Sequence, residues 1–265
     1  MSTIQAVVLA IVEGLTEFLP ISSTGHMVMV SSLMGIGKED FTKFFEIAIQ
    51  LGAILAVVVL YWRKFINFKS WKFYAKLIVG VIPALIFGKL LSNTIDELLM
   101  DPTYTALAIL GGGVILLFID NMFYKVAVKE EKDITFKNAI IIGLCQCAAL
   151  IPGVSRSAAS IIGGLQQKLS RKLAAEFSFF LAVPTMAAAT GYKLWEILKL
   201  HPEALHNSAN LKSLLVGNVV AFVIAFLTMR FFVDFLKKHG FRFFGWYRIC
   251  AGLIFLLMVK MNQIR

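Results

Sequence analysis

The sequence predicts an all-α, polytopic membrane protein: six transmembrane helices plus two re-entrant helical hairpins, arranged as an inverted-topology repeat. Three observations carry that expectation. Apolar residues are 58% of the 265 and charged ones only 16%, against about 45–50% and about 25% in soluble domains. Mean hydropathy is +0.79, and a soluble fold of this length has too little interior to hide so much apolar surface. Finally, six apolar runs are long enough for a hydrocarbon core needing about 20 residues, while two more are interrupted by proline. A disordered chain, a disulfide-stapled secreted module and a cytosolic enzyme are all excluded.

The first apolar segment, 3–34, is broken at Phe18-Leu19-Pro20-Ile21-Ser22-Ser23. Spans are predicted at 41–62, 74–92 and 104–123. A second broken segment, 135–167, is interrupted at Ile151-Pro152-Gly153-Val154-Ser155, and spans follow at 174–195, 212–235 and 245–262. Proline with clustered serine breaks a helix, and neither half of a broken segment can span. Such a backbone survives at membrane depth only where protein or a water-filled cavity surrounds it, which predicts re-entrant hairpins. The two breaks also mark a repeat. Gly14-Leu15 precedes Pro20 as Gly143-Leu144 precedes Pro152, and Glu46 and Glu176 follow the two prolines at 26 and 24 residues. Each half is one hairpin plus three spans, an odd number, so the second half enters the membrane upside down. The expected repeats are about 1–124 and 135–262 within one integral membrane domain, 1–265.

Charge orients the chain. Loops 63–76, 125–137, 168–172 and 230–242 hold sixteen basic residues; the opposite side holds eight, and loop 93–103 there is purely acidic (Asp96, Glu97, Asp101). The positive-inside rule places both termini outside, opens the first hairpin to the outer face and the second to the cytoplasm. It also accounts for the net charge of +10 without nucleic acid. The start of the chain has no Lys or Arg and its apolar run is cut by Glu13 and Glu17, so no secretory signal is expected. Cys145, Cys147 and Cys250 read as small buried hydrophobes. His201 and His206 read as solvated loop residues, Gly111-Gly112-Gly113 as a site of close helix packing, and Trp62, Trp71 and Trp246 as interfacial anchors.

Ionisable groups inside apolar segments cost about 2.5–3.5 kcal/mol each and are candidates for function. The hairpins contain Glu13, Glu17, His26 and Arg156. Glu13 and Glu17 are four apart, on one helix face, and two like charges so close need a cation or a shared proton. Hard carboxylate oxygens suit Mg²⁺ or Ca²⁺. After Pro20 come Ser22, Ser23, Thr24, Gly25 and His26; after Pro152 come Ser155, Arg156 and Ser157. Two helix N-termini meeting at the midplane would favour phosphate, and Arg156 adds a bidentate donor. The residues together predict a site for a highly charged anion with a metal, open to the outer face.

The stretch Glu13-Gly-Leu-Thr-Glu17-Phe-Leu-Pro-Ile-Ser-Ser-Thr-Gly-His26 and the stretch Pro152-Gly-Val-Ser-Arg156-Ser resemble the two signature motifs of the undecaprenyl-diphosphatase family, also called bacitracin-resistance proteins. The resemblance extends over essentially the whole chain; Ala158 and Ser160 stand where the family usually has Gly and Thr. It implies a hydrolase of the bacterial plasma (inner) membrane, multi-pass, with its active site facing the exterior. Such an enzyme removes the terminal phosphate of undecaprenyl diphosphate, regenerating the lipid carrier for peptidoglycan precursors and conferring bacitracin resistance. By the same resemblance Glu13 and Glu17 bind metal or handle protons. Ser23 and His26 supply nucleophile and acid/base, Glu17 being an alternative base, and Arg156 holds phosphate. Ser22, Thr24, Gly25, Ser155 and Ser157 complete the substrate site. Ser23, His26 and a metal-activated water all remain open as the attacking group, with Ser23 favoured. A lipid diphosphate and the bilayer are the expected partners, and a homodimer is compatible with the reading.

Two rival functions follow from the same residues. Inverted repeats with broken helices are above all a transporter architecture, so a polyprenyl-phosphate carrier or flippase is the principal alternative; it needs no nucleophile and base. The acid-phosphatase-like lipid phosphatases are the other, but a second downstream His with a paired Asp is missing from any span.

Overall fold

A computed structural model describes residues 1–67, 70–92, 94, 95, 98, 101–200 and 208–264, less some side chains near 193–200. The chain is all-α. Helix α1 (Thr3–Thr16) opens with a reciprocal capping box between Ser2 and Gln5 that satisfies two of its free N–H groups. It stops before Pro20, and α2 (Ser23–Leu33) resumes the segment. Helices α3 (Asp40–Ala48) and α4 (Gln50–Leu60) make one apolar stretch of 21 residues with a slight irregularity at Ile49. The one-turn α5 (Trp62–Phe65), α6 (Trp71–Leu90) and α7 (Pro102–Met122) complete the first half. The second half repeats the order: α8 (Phe136–Gln146), a break, α9 (Arg156–Gln166), then α10 (Arg171–Leu200), α11 (Ser208–His239) and α12 (Arg242–Lys260).

Six of these stretches are long and apolar enough to cross a membrane, at the places the hydropathy pattern predicts; α11 begins four residues earlier and ends four later than the 212–235 expected. Large apolar side chains stay exposed along them, among them Leu55, Ile78, Phe118, Leu215 and Leu257. In water such a surface would aggregate; here it meets lipid.

Helix partners are exchanged between the halves. Helix α1 packs on α11 and α8 on α6; α4 packs on α11 and α10 on α6; α7 pairs with α12, and α4 with α10. Gly14 and Gly143 make the first exchange physical. A Cβ on Gly14 would meet Ile224 Cβ at 2.7 Å, and one on Gly143 would meet the Gly80 carbonyl oxygen at 2.1 Å. Each broken segment is therefore seated by a glycine against a span of the other half.

Three expectations need correction or fall elsewhere. Cys250 is exposed, and Cys145 and Cys147 are only partly buried: in a membrane helix an apolar residue gains as much from lipid as from the core. Gly112 and Gly113 do mark close packing, against the Arg248 side chain, while a Cβ on Gly111 would meet open space. His201, His206, Lys69, Asp96 and Glu97 lie outside the described residues.

Candidate active site

The two breaks share one backbone device. Ser22 has φ 74° and Ser155 φ 79°, a region that costs a non-glycine residue roughly 1–3 kcal/mol. Each is the N-cap of the helix that follows, accepting from the N–H three residues on: Gly25 at 3.4 Å and Ala158 at 3.3 Å. Ser157 Oγ ties the breaks together by donating to the Leu19 carbonyl at 2.7 Å. Two helix N-termini thus open side by side, and their free N–H groups and dipoles favour an anion.

Between them lies a cavity of about 240 Å³ lined by Glu17, Ser22, Ser23, Thr24, Gln50, Pro152, Gly153, Ser155, Arg156 and Thr185 among others. Its polar core is a chain of three side chains. Ser23 Oγ donates to Glu17 Oε2 at 2.5 Å, and Glu17 Oε1 accepts from Arg156 Nη2 at 3.0 Å. The Arg156 guanidinium is fixed from behind, with Nη1 donating to the Ser178 carbonyl at 3.0 Å and its Cζ 5.6 Å from the Phe18 ring centre. Arg156 Nε is buried with no partner among the described residues. A guanidinium lining a cavity flanked by two N-caps fits an incoming phosphate.

Other residues expected at the site sit one step back. His26 does not touch Ser23: Nδ1 meets the Ser22 carbonyl at 2.7 Å and Nε2 meets the Tyr247 hydroxyl at 2.8 Å. A carbonyl can only accept, so Nδ1 carries the proton and Nε2 accepts from Tyr247; neither ring nitrogen is left for the nucleophile. Gly25 faces α7, where a Cβ would meet Ile109 Cδ1 at 2.4 Å, and Ser157 is fully buried; both shape the site rather than line it.

Glu13 is buried beneath Glu17, with Oε1 unpartnered. Glu46 Oε1 is also buried and unpartnered. Both oxygens of Glu17 are engaged, and no group of three or more His, Cys, Asp or Glu gathers as metal ligands among the described residues. This donor set does not build an all-protein cage. It fits the hard-cation arrangement in which one or two carboxylates share the ion with water and substrate phosphate.

Sequence reasoning missed several residues. Gln50 and Thr185 line the cavity. Ser178 bonds both Arg156 and Ser160, the latter at 2.7 Å, which gives Ser160 a place in the support of Arg156. Tyr247 and Arg248 also went unmarked, although an arginine inside the span 245–262 meets the same criterion that selects Glu13, Glu17 and Arg156.

Comparison with known proteins points one way. A family profile described as bacitracin resistance protein BacA matches residues 6–254. The undecaprenyl-diphosphatase of Flavobacterium johnsoniae is 55% identical over 259 residues, 97% of this chain and 96% of that one. That of Bdellovibrio bacteriovorus is 48% identical over 262 residues, 98% and 97% of the two chains. That of Aquifex aeolicus is 43% identical over 254 residues, 95% and 96%.

Proposed function

The chain belongs to the bacitracin resistance protein BacA family, and on that premise we propose how it acts as an undecaprenyl-diphosphatase. The observation that carries the mechanism is the Ser23–Glu17–Arg156 chain. The terminal phosphate enters between the two N-caps, where the Arg156 guanidinium and the free backbone N–H groups receive its oxygens. Ser23 Oγ attacks the terminal phosphorus as its proton passes to Glu17 Oε2. The bond from that phosphorus to the bridging oxygen breaks, and the lipid monophosphate leaves with the electron pair. Water then attacks the phosphorus of the phosphoserine; the P–Oγ bond breaks, Ser23 Oγ takes its proton back from Glu17, and inorganic phosphate leaves carrying the protons of the water. Arg156 and the two helix N-termini offset the charge on the equatorial oxygens, where most phosphoryl-transfer catalysis resides. A divalent cation held by Glu13, and by Glu17 Oε1 once phosphate draws Arg156 Nη2 away from it, would supply further charge neutralisation, with Oε2 kept for the Ser23 proton. His26 orients the Ser22 peptide in this mechanism and takes no proton from Ser23.

We further propose that the broken segments are re-entrant and that the halves form an inverted repeat; the exchanged helix pairings and the paired Gly14 and Gly143 contacts support this. The basic loops then lie in the cytoplasm and the cavity faces the exterior of the bacterial plasma membrane, where lipid carrier awaits recycling. A cysteine replacing exposed Asp101 should react with an impermeant thiol reagent in intact cells, and one replacing exposed Lys132 should not; the reverse pattern would turn the molecule over.

The transporter alternative needs no nucleophile held by a base, and the names of the relatives favour hydrolysis. The deciding experiment is phosphate release from undecaprenyl diphosphate by purified protein, with and without chelator. Turnover is expected, and its loss in chelator with recovery on Mg²⁺ or Ca²⁺. Undiminished turnover in chelator removes the cation; no turnover under any condition removes the enzyme.

A further inference from the structure

Arg248 is the largest fully buried side chain among the described residues, and it donates five hydrogen bonds, all to backbone carbonyls. Nε reaches Ile109 at 3.0 Å, and Nη2 reaches Ala108 and Gly153, both at 2.9 Å. Nη1 reaches Pro20 at 3.2 Å and Val154 at 2.9 Å. Two of these elements are the breaks themselves. No carboxylate forms an ion pair with it among the described residues, so its charge is balanced only by carbonyl dipoles. An uncompensated buried cation is costly, and one placed here at that cost adds positive potential directly behind the phosphate cavity.

The geometry of the peptide unit says what the clamp does. All peptides described are trans, so a C=O held at Arg248 sends the N–H of the same unit the opposite way. The Val154 carbonyl shares its unit with the Ser155 N–H, which takes no partner among the described residues and belongs to a residue lining the cavity. The Gly153 and Pro20 units are held likewise, and their N–H groups are closed off locally by Ile151 and Leu19. The clamp therefore grips the chain at the residue before the Ser155 cap and two residues before the Ser22 cap. Strain of this kind persists only where the surroundings over-determine it.

We infer that Arg248 is a positioning residue for phosphoryl transfer, which pins the carbonyls of both breaks so that the Ser22 and Ser155 caps and the free Ser155 N–H present one anion cradle. This rests on the phosphatase reading above, but it concerns a residue that never touches the substrate.

Gly112 supplies a test that leaves Arg248 in place. A Cβ there would meet Arg248 Nη2 at 2.2 Å, whereas one on neighbouring Gly111 meets nothing. Purified Gly112→Ala and Arg248→Lys are compared with Gly111→Ala for turnover per folded molecule, for competitive inhibition by inorganic phosphate, and for thermal unfolding. Gly112→Ala and Arg248→Lys should each lose about 100-fold in kcat/KM, the size of effect a displacement of about 1 Å produces, with phosphate inhibition weakened in parallel. Gly111→Ala should stay within about twofold of the parent protein. A merely structural arginine would lower the unfolding temperature and leave turnover and phosphate inhibition of the folded fraction unchanged, and that result overturns the inference. Should Gly112→Ala not fold, Arg248→Lys decides alone. Absence of turnover in the parent would sink the phosphatase reading, and phosphate binding by the three variants would still judge Arg248.

Discussion

The break around Pro20 and the break around Pro152 have one backbone and different chemistry. Both end in a serine with left-handed φ that caps the next helix, and both are seated by a glycine on a span of the other half. The residue just after each cap is Ser23 in one and Arg156 in the other. The first break carries the carboxylates and the hydroxyl; the second carries the guanidinium. Under the proposed repeat, one helix-break unit occurs twice with two N-termini turned to the same cavity, and the residue after the cap is the proposed nucleophile on one and the proposed phosphate holder on the other. The lesson is that the proposed cradle rests on the backbone the two breaks share, while the proposed reaction rests on the side chains that differ.

The largest effect should come from the acidic break. Glu17→Gln removes the acceptor of the Ser23 proton and the partner of Arg156 together, and kcat should fall by roughly 10³-fold, with the acidic limb of the pH–rate profile lost. Glu13→Gln should lose about tenfold and recover in excess divalent cation, because only a shared ion is weakened. Equal losses in the two variants, measured by phosphate release, would break the division of labour between these neighbours. Next is the basic break: Arg156→Lys keeps the charge but not the planar fork, and should lose about 100-fold. Near-parental turnover there would take the phosphate away from the second break. The smallest effect tests whether the backbones are equivalent. Ser22→Ala and Ser155→Ala should each destabilise by about 1 kcal/mol through loss of the cap. The matching glycine variants should be close to neutral, since relief of the left-handed strain offsets the lost hydrogen bond. Denaturation of the four variants in detergent checks this, and a clear asymmetry between Ser22 and Ser155 would end the comparison.

The spans and the breaks were readable because length and hydropathy are what a bilayer selects. Glu17, Ser23 and Arg156 were readable because a charge or a clustered hydroxyl in an apolar run is rare. What could not be read was direction. In a membrane both faces of a helix are apolar, so periodicity does not separate core from lipid, and Cys250 falls on the outside. The imidazole of His26 is three residues from Ser23, yet its partners are a backbone carbonyl and a tyrosine 221 positions away, a pairing no local pattern contains. Arg248 is a charge inside a span and as legible as Arg156, but nothing near it in sequence shows that its partners are carbonyls of the two breaks, 228 and 94 residues away.

The contacts that close the two turns reach across almost the whole chain: Arg248 and the Pro20 carbonyl are 228 residues apart. Ribosomes add roughly 5–20 residues per second, so Pro20 is made roughly 11 to 46 seconds before the arginine that will hold it. Through that interval its carbonyl must be hydrated or bound by something else, since a naked carbonyl in hydrocarbon is costly. A first broken segment that lies within the bilayer, as proposed, therefore cannot settle at its final depth as it is made. It has to wait near water, or beside the insertion machinery, until the last helix arrives. A chain cut short before α12 would be an inserted but unfinished protein, with both turns loose in the bilayer and prone to degradation.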